Sequence, residues 1–453
     1  MRENYNSKEN ENINRRAILA GVCLHDDQTD DEFLHAIEET KELMRACELE
    51  VVCVATQNLP SPHPGTYFGS GKLEELARTA DFKDAAYVVV LDNLSPVQLK
   101  NMTDVLDTVI FDRTMLILEI FARRARSREA KLQIELANLQ YMLPRLVGMR
   151  RSLGRQGGAS GSMSNKGAGE KKLELDRRHI GHRITELRRE LAKIERTREV
   201  QRKSREKRSL KKVALVGYTN AGKSTIMNQL VENSCVDDKK LVLEKDMLFA
   251  TLDTTVRRIV PEDKREFLLS DTVGFISNLP HELVKAFHST LEEVLYADLL
   301  LIVVDMSDIH YKEHLKVTQD TLRELGTATI PQIYAYNKLD RFYQTHIDEE
   351  QSIPIFRPGM IVNGERVYLC ANQGKGIKEL IGLIQQKIFA DYKRVRVFVP
   401  YDQGAVIGRI ESNATIISRE YKETGVELLA DMKAWFAGAL MEEDSCFISL
   451  DME

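Results

Sequence analysis

A buried strand that runs directly into a glycine-rich loop and then a helix constrains the fold of this chain more than any other feature. Residues 213–216 (VALV) are all apolar, and the eight residues from Gly217 to Ser224 read G-x-x-x-x-G-K-S. In such a loop the glycines let backbone N–H groups surround a phosphate, and the following helix points its positive end at the same group. The pattern therefore predicts an α/β nucleotide-binding domain with a mainly parallel sheet. Lys223 would contact the β and γ phosphates, and Ser224 would ligate Mg²⁺.

Two longer motifs follow the loop in the order expected for a guanine-nucleotide domain. "FLLSDTVGF" ends in D-x-x-G, so that Asp271 would hold the metal through its outer shell and the Gly274 amide would sense the γ phosphate. "YAYNKLD" follows another buried strand. Its Asp340 can accept two hydrogen bonds from the N1–H and N2–H₂ edge of guanine, whereas adenine lacks that pair of donors. The chain is therefore predicted to prefer GTP over ATP, with Asn337 and Lys338 positioning and covering the base.

Two shorter stretches complete the predicted site. "LFATLDTT" (residues 248–255) supplies a switch threonine, for which Thr251 is the predicted second Mg²⁺ ligand and Thr254 the alternative. "LCAN" (residues 369–372) stands where a G protein usually has S-A-K, and Cys370 replaces the serine. The predicted GTP-binding residues are Gly217, Tyr218, Thr219, Asn220, Ala221, Gly222, Lys223, Ser224, Thr225, Phe249, Ala250, Thr251, Leu252, Asp253, Asp271, Thr272, Val273, Gly274, Asn337, Lys338, Leu339, Asp340, Cys370, Ala371 and Asn372.

The residue that follows D-x-x-G bears on catalysis. It is Phe275, where Ras-like proteins carry the glutamine that orients the attacking water. Phenylalanine cannot orient a water molecule, so we expect slow intrinsic hydrolysis until another component completes the site. Asn220 occupies a position that can coordinate a monovalent cation in some GTPases, and a K⁺ ion could then replace an arginine finger. The predicted catalytic residues are Lys223, Gly274 and Asn220.

Another glycine–lysine stretch, "FGSGKLEEL" (residues 68–76), is not predicted to bind phosphate. Leucine follows its lysine, and its spacing differs from that of a P-loop. We predict a turn followed by the start of a helix.

Two patterns rich in leucine and isoleucine predict long helices on either side of a glycine-rich segment. The apolar residues recur at intervals of three and four, as in a heptad seam, and neither helix can bury its apolar stripe alone. We therefore predict an antiparallel hairpin whose tip is the glycine-rich segment, at about residues 147–169. The seam residues are Leu132, Leu136, Leu139 and Leu143 on the first helix, and Ile180, Ile184, Leu187, Leu191 and Ile194 on the second.

The hairpin region carries an excess of positive charge. Residues 123–212 contain 27 Lys and Arg against 10 Asp and Glu, a net charge of +17 in a chain whose formal net charge is −5. A basic segment on an otherwise acidic protein favours nucleic acid as a partner, and the alternative is a solvated helix face without a specific partner. The candidate RNA contacts are Arg150, Arg151, Arg155, Lys166, Lys171, Lys172, Arg177 and Arg178.

Composition and length indicate a multidomain cytoplasmic protein. The six cysteines are scattered without a C-x-x-C pair, the polar N-terminus lacks the apolar core of a signal peptide, and the longest apolar run, residues 297–306, is too short to span a membrane. Nothing in the sequence requires more than a monomer. The predicted divisions are a disordered lead-in (1–16), an α/β region (17–113), the basic hairpin (114–209), the G domain (210–391) and a small C-terminal α/β domain (392–453).

Taken together, these motifs resemble those of the HflX-type GTPases. The resemblance rests on "FGSGKLEEL", on "ELANLQYMLPRL" (residues 135–146) and "GAGEKKLELDRR" (residues 167–178), and on "GYTNAGKST", "LFATLDTT", "DTVGF" and "NKLD". It covers nearly all of the chain after the first fifteen or so residues. "LCAN" departs from the usual pattern at Cys370 and Asn372.

The resemblance implies more than the residues themselves establish. Members of this family bind the large ribosomal subunit in their GTP form, split stalled or idle ribosomes, often under stress, and hydrolyse GTP faster on the ribosome. Their hairpin reaches toward the peptidyl transferase centre with the glycine-rich loop at its tip. An assembly or regulatory factor, a GTP-gated RNA-binding switch without splitting activity, remains the alternative function.

The K⁺ hypothesis makes a direct prediction. GTP hydrolysis should be faster in KCl than in NaCl at equal ionic strength, because the hypothesis assigns the position beside Asn220 to K⁺. Phosphate release should be measured in both salts, without and with the activating partner. Equal rates in the two salts under both conditions would contradict the hypothesis.

Overall fold

The computed structural model describes residues 14–24, 29–145, 165–206, 210–234, 255–272, 274–276, 293–345, 356–441 and 447–450. These residues form two compact units, one ending at Ile194 and the other beginning at Glu195. The predicted fold class is confirmed: an N-terminal α/β region with a long antiparallel helical hairpin, a P-loop domain with a mainly parallel sheet, and a small C-terminal α/β part.

The N-terminal sheet has four parallel strands in the order β2-β1-β3-β4. Parallel neighbours need a crossover connection, and one helix supplies each of them. The helix that follows β2 begins inside the "GSGK" stretch, and its Lys72 pairs with Glu75 at 2.8 Å, so the predicted turn and helix start are confirmed. The elements are β1 (Arg16–Leu24), α1 (Asp30–Ala46), β2 (Glu50–Leu59), α2 (Ser70–Lys83), β3 (Tyr87–Val90), α3 (Pro96–Leu106) and β4 (Val109–Phe111).

The chain between β4 and the glycine-rich segment forms two helices, and the predicted seam lies on the second. α4 (Arg113–Arg124) ends where Ala125 adopts an extended backbone. α5 (Arg128–Met142) begins after Ser127, whose hydroxyl accepts a hydrogen bond from the Ala130 N–H at 3.1 Å. Such a serine cap favours a new helix start at this position.

α5 packs against the long helix α6 (Asn165–Glu206), and the nine predicted seam residues lie in one apolar cluster. Two ion pairs show the direction of the helices. Arg183 forms a bidentate pair with Glu135, with both N–O distances at 3.0 Å, and Arg128 pairs with Glu190 at 3.0 Å. Because later residues of α6 meet earlier residues of α5, the hairpin is antiparallel, as predicted.

A buried polar group ties the end of α5 to the N-terminal sheet. Asp112, which caps α4 by accepting from the Met115 N–H at 2.9 Å, also accepts a hydrogen bond from the Tyr141 hydroxyl. The Arg145 guanidinium lies 3.4 Å from the centre of the Tyr141 ring and donates to the Leu94 carbonyl at 2.9 Å. Burial raises the pKa of Asp112 despite the hydrogen bonds it accepts. The chain is therefore held firmly where it enters the glycine-rich segment.

The second unit is built on seven strands in the order β10-β11-β9-β8-β5-β7-β6, parallel except for β6 and β10. Strand β5 is central, and its residues Val213 to Val216 are fully buried. The elements are β5 (Lys211–Gly217), α7 (Lys223–Glu232), β6 (Thr255–Ile259), β7 (Phe267–Asp271), β8 (Leu299–Asp305), α8 (Tyr311–Glu324), β9 (Gln332–Asn337), α9 (Leu339–Thr345), β10 (Ile361–Val362), β11 (Arg366–Tyr368) and α10 (Ile377–Ile388).

The C-terminal sheet of the same unit is antiparallel, with the order β13-β14-β12-β15. Alternate residues of its central strands, among them Val395, Val397 and Leu428, pack against two helices, whereas Arg394, Arg396 and the acidic residues of β14 lie on the opposite face. The elements are β12 (Tyr392–Pro400), α11 (Gly404–Asn413), β13 (Ala414–Lys422), β14 (Gly425–Lys433), α12 (Ala434–Met441) and β15 (Phe447–Leu450).

Two further observations concern predictions from composition. Within the described ranges, no helix combines the length and the apolar character that a membrane crossing needs. Four of the six cysteines, Cys23, Cys47, Cys53 and Cys370, are described, and all four are free thiols.

The buried seam predicts that alanine substitutions at two leucines of α6 will have different effects on stability. Leu187 is fully buried, whereas Leu175 is 52% exposed on the same helix. We expect Leu187→Ala to lower the free energy of unfolding by about 2–5 kcal/mol, because it leaves a cavity in the seam. Leu175→Ala should change it by less than about 0.5 kcal/mol. Urea unfolding followed by circular dichroism would measure both, and similar values for the two variants would argue against the hairpin core.

Candidate nucleotide site

The predicted phosphate loop connects β5 to α7 at the carboxyl edge of the seven-stranded sheet. Gly217 has φ of +149°, and a side chain there would collide with the Val303 carbonyl of the adjacent strand β8. Gly222 has φ of +92° and caps α7, and a side chain there would collide with Asn337. Both positions therefore require glycine, because neighbouring groups approach closely and because both φ angles are positive.

The Lys223 side chain is folded back over this loop. Its ammonium donates to the carbonyls of Gly217 at 3.1 Å and Tyr218 at 2.7 Å, and the residue is only 7% exposed. Burial, together with the charge of Lys338, lowers the pKa of Lys223 to about 8, while Asp271 acts in the opposite direction. Phosphate oxygens at this position would favour the charged ammonium, because an anion nearby stabilises a cation.

Two oxygen donors for a metal ion lie together beside the loop. The Ser224 hydroxyl donates to the Asp271 carboxylate at 2.9 Å, and Asp271 is fully buried at the end of β7. Hydroxyl and carboxylate oxygens are ligands that Mg²⁺ prefers. The residues present therefore fit Mg²⁺, the ion that P-loop GTPases generally use.

The segment after Asp271 pairs with the phosphate loop through its backbone. The Phe275 N–H donates to the Gly217 carbonyl at 3.0 Å, and the Phe275 carbonyl accepts from the Thr219 N–H at 2.8 Å. A Cβ atom on Gly274 would lie 2.8 Å from the Thr219 Cα and 2.9 Å from the Lys223 Nζ. This glycine is thus in direct contact with the loop, and the neighbouring Phe275 is buried.

Asn337 joins the phosphate loop to the predicted base-binding loop. Its side-chain N–H donates to the Ala221 carbonyl at 3.1 Å, and its side-chain oxygen accepts from the Ala371 N–H at 3.1 Å. Cys370 contacts Asp340 through its thiol, and burial together with this carboxylate raises the pKa of that thiol. A serine hydroxyl at position 370 would be the same kind of hydrogen-bond donor. Cys370 therefore contacts Asp340, the residue predicted to select guanine, as a serine could.

Two contacts of the site involve residues that the sequence analysis did not single out. The Lys338 ammonium donates to the Asp305 carboxylate at 2.7 Å, and Asp305 ends the buried strand β8. The Tyr218 ring is stacked on His314 of α8, with 3.8 Å between ring centres. Asp305 could have been predicted as a site residue, because it is an acidic residue at the carboxyl end of a buried strand. No local pattern indicated His314.

Of the predicted residues, those on the phosphate loop, after β7 and around β9 and β11 are brought to one edge of the sheet. Asn372 is exposed in the short 3₁₀ helix Ala371–Gln373, and Asn220 has φ of +59°. The other predicted nucleotide residues, Phe249, Ala250, Thr251, Leu252, Asp253 and Val273, lie outside the described residues, as does the alternative Thr254.

The candidate RNA contacts are only partly described. Arg150, Arg151 and Arg155 lie outside the described residues. Lys166, Lys171 and Lys172 belong to α6, of which only the backbone is described there. Arg177 and Arg178 are exposed on the same helix, and Arg178 pairs with Glu174 at 3.3 Å. Such an exposed ion pair contributes little to the stability of the fold, so Arg178 can exchange Glu174 for a phosphate group.

Comparison with known protein families matches most of the chain. Residues 35–122 match the model described as GTP-binding GTPase N-terminal, residues 124–205 match GTP-binding GTPase Middle Region, and residues 212–338 match 50S ribosome-binding GTPase.

Individual relatives agree with these matches. The chain is 41% identical to the GTPase HflX of Caldanaerobacter subterraneus subsp. tengcongensis, over 92% of this chain and 91% of the relative. It is 36% identical to the GTPase HflX of Escherichia coli, over 89% and 91% of the two chains. A crystal structure of a GTP-binding protein from Sulfolobus solfataricus in complex with GDP is 24% identical, with a TM-score of 0.42 over 83% of this chain and 99% of that one.

The contact between Gly274 and the loop predicts a specific defect. In Gly274→Ala the new methyl group would meet the Thr219 backbone, so the loop or the Gly274 amide must shift. We expect hydrolysis of GTP to fall by about tenfold or more, because small displacements of positioning groups carry large kinetic costs. Gly382→Ala on α10 is the matched control, since a Cβ there meets open space. Single-turnover GTP hydrolysis would measure both, and equal rates for the two variants would refute the proposed role of this contact.

Proposed function

The chain is a GTPase that belongs to the HflX family, and from this premise we propose that its GTP form binds the large ribosomal subunit and separates stalled or idle ribosomes into subunits. The observation that carries the proposal is the basic helical hairpin. Residues 123–212 have a net charge of +17, while the rest of the chain is acidic. Such a charge distribution favours binding to a polyanion, and ribosomal RNA is the polyanion that a ribosome presents.

The hairpin also has the shape that the proposal needs. α6 begins at Asn165, fifteen residues before its first seam residue, Ile180. At 1.5 Å per residue this stretch extends about 22 Å along the helix axis beyond the seam. It contains five of the eight candidate RNA contacts. A glycine-rich tip can follow an RNA surface closely because it has few bulky side chains.

The nucleotide site would act as the switch for this binding. Lys223 would hold the β and γ phosphates, the Gly274 amide would sense the γ phosphate, and Asp340 would select guanine through its carboxylate. Ser224 and Asp271 would hold Mg²⁺, with Thr251 as a further ligand, and the ion would neutralise charge on the phosphate oxygens. Phe275 cannot orient the attacking water, so completion of the site by the ribosome would stimulate hydrolysis.

Further features belong to the same proposal. K⁺ beside Asn220 would supply positive charge where an arginine finger acts in other GTPases. The protein would act as a cytoplasmic monomer, often under stress. Its working divisions would be the lead-in (1–16), the α/β region (17–113), the hairpin (114–209), the G domain (210–391) and the C-terminal domain (392–453).

Light scattering distinguishes splitting from binding alone. Adding the protein with a non-hydrolysable GTP analogue to intact ribosomes should lower the scattered intensity as subunits separate, and GDP should have little effect. Co-sedimentation with the large subunit should weaken steeply with salt, because bound phosphates release counterions. Binding without a fall in scattering would contradict splitting and favour an assembly or regulatory switch.

A variant of the glycine-rich tip tests whether this segment is needed for ribosome splitting. Replacing Gly157, Gly158 and Gly161 together with bulky residues should leave GTP binding intact, because these positions are remote in sequence from the G motifs. Splitting should be lost in the same scattering assay. Unchanged splitting by this variant would rule out the tip as the active element.

A further inference from the structure

A two-stranded ribbon connects the metal end of the nucleotide site to a distant turn. Strands β6 and β7 are antiparallel, with Thr255 opposite Asp271 at one end and Ile259 opposite Phe267 at the other. Asp271 is the carboxylate beside Ser224. The turn of the ribbon, residues 260–266, lies at the far end, and five paired residues of each strand connect the two ends.

The C-terminal sheet holds this turn through one buried carboxylate. Asp431 of β14, whose side chain is 3% exposed, accepts a hydrogen bond from the Arg265 Nε at 2.7 Å. Arg394 of β12 donates two more to the same carboxylate, both at 2.9 Å. Burial alone would raise the pKa of Asp431, but the hydrogen bonds and charges of the two arginines outweigh it and lower that pKa. The carboxylate is therefore charged and fully engaged at neutral pH.

Further contacts fix the backbone of the same turn. Lys264 donates to the Ile417 carbonyl of β13 at 3.2 Å, and Arg394 also reaches the Asp263 carbonyl at 3.4 Å. From the G domain side, Gln385 of α10 donates to the Asp263 carboxylate at 2.7 Å. Strands β12, β13 and β14 thus all contact a turn of seven residues.

We propose that Asp431 is a positioning residue for the GTPase site, and that by holding Arg265 it couples the C-terminal sheet to the nucleotide state through the β6–β7 ribbon. Losing Asp431 would leave Arg265 and Arg394 without their shared buried carboxylate, and losing Arg265 would remove one of the two cations that compensate it. Any movement of the ribbon between the GDP and GTP states must carry the C-terminal sheet with it or strain this pair. By linkage, a ligand that binds one position of the C-terminal sheet more tightly changes the ratio of GTP to GDP affinity. The factor equals the one by which the nucleotide changes the affinity for that ligand.

The full-length chain offers a matched set of variants. Asp431→Asn and Arg265→Met each remove one side of the pair, and Asp431→Glu keeps the charge. Glu427→Gln is the control, because Glu427 lies on the same strand and face but forms its ion pairs with Arg396 and Lys422 of the C-terminal sheet. The measurements are the ratio of GDP to GTP-analogue dissociation constants, the Mg²⁺ dependence of GDP release, and amide hydrogen exchange of β13 and β14 in both nucleotide states.

We expect Asp431→Asn and Arg265→Met each to change the affinity ratio by about fivefold or more. The double variant should change it no further, because both substitutions break one interaction. In the unaltered chain, exchange in β13 and β14 should differ between the two nucleotides, and this difference should vanish in both variants. Asp431→Glu should restore most of the coupling, and Glu427→Gln should match the unaltered chain.

A purely structural role for the pair gives a different result. The variants would then melt at lower temperature but keep the original affinity ratio, Mg²⁺ dependence and nucleotide-dependent exchange, and the proposal would be overturned. If Asp431→Asn does not fold, Arg265→Met decides the question alone, since it alters a turn residue that is 27% exposed and leaves the C-terminal core untouched.

Discussion

The parallel pairing of β5 with β7 on one side and β8 on the other is the constraint on which the G domain depends. Parallel strands end at a common edge, so residues far apart in sequence meet there once these pairings form. Gly217, Asp271 and Asp305 end three adjacent strands, and Asn337 ends the next one. Asn337 then links the loops by hydrogen bonding to both Ala221 and Ala371. The order of the strands therefore brings the site residues together, and individual side chains then complete the site.

Much of this architecture could be predicted because its signals are local. The intervals of three and four residues between apolar side chains identified all nine seam residues. The phosphate loop and the guanine motif could be recognised because each combines residue types that its chemistry requires. These signals are properties of short windows of the sequence.

Contacts between distant positions left no such signal. Asp431 and Arg265 are 166 residues apart, and neither stands in a pattern that would single it out. The same holds for Tyr218 and His314, whose stacking depends on how α8 lies across the sheet. The break at Ala125 was missed for another reason. Residues 122–131 (ARRARSREAK) contain no apolar side chain larger than alanine, so no apolar pattern shows whether the helix continues there, and the cap at Ser127 marks the new helix start. Apolar periodicity indicates which face of a helix is buried, but it does not indicate where one helix ends and the next begins.

The first glycine of the phosphate loop has a consequence for how mutations in this motif are interpreted. Gly217 is packed against the backbone carbonyl of Val303, so a side chain there would push apart two central strands of the sheet. A substitution at this position would act on the folded state of the whole domain as well as on the phosphate. Loss of function at Gly217 therefore cannot by itself count as evidence of a lost ligand contact. Lys223 and Asp340 interrupt no strand pairing, so substitutions there test the predicted phosphate and base contacts more directly.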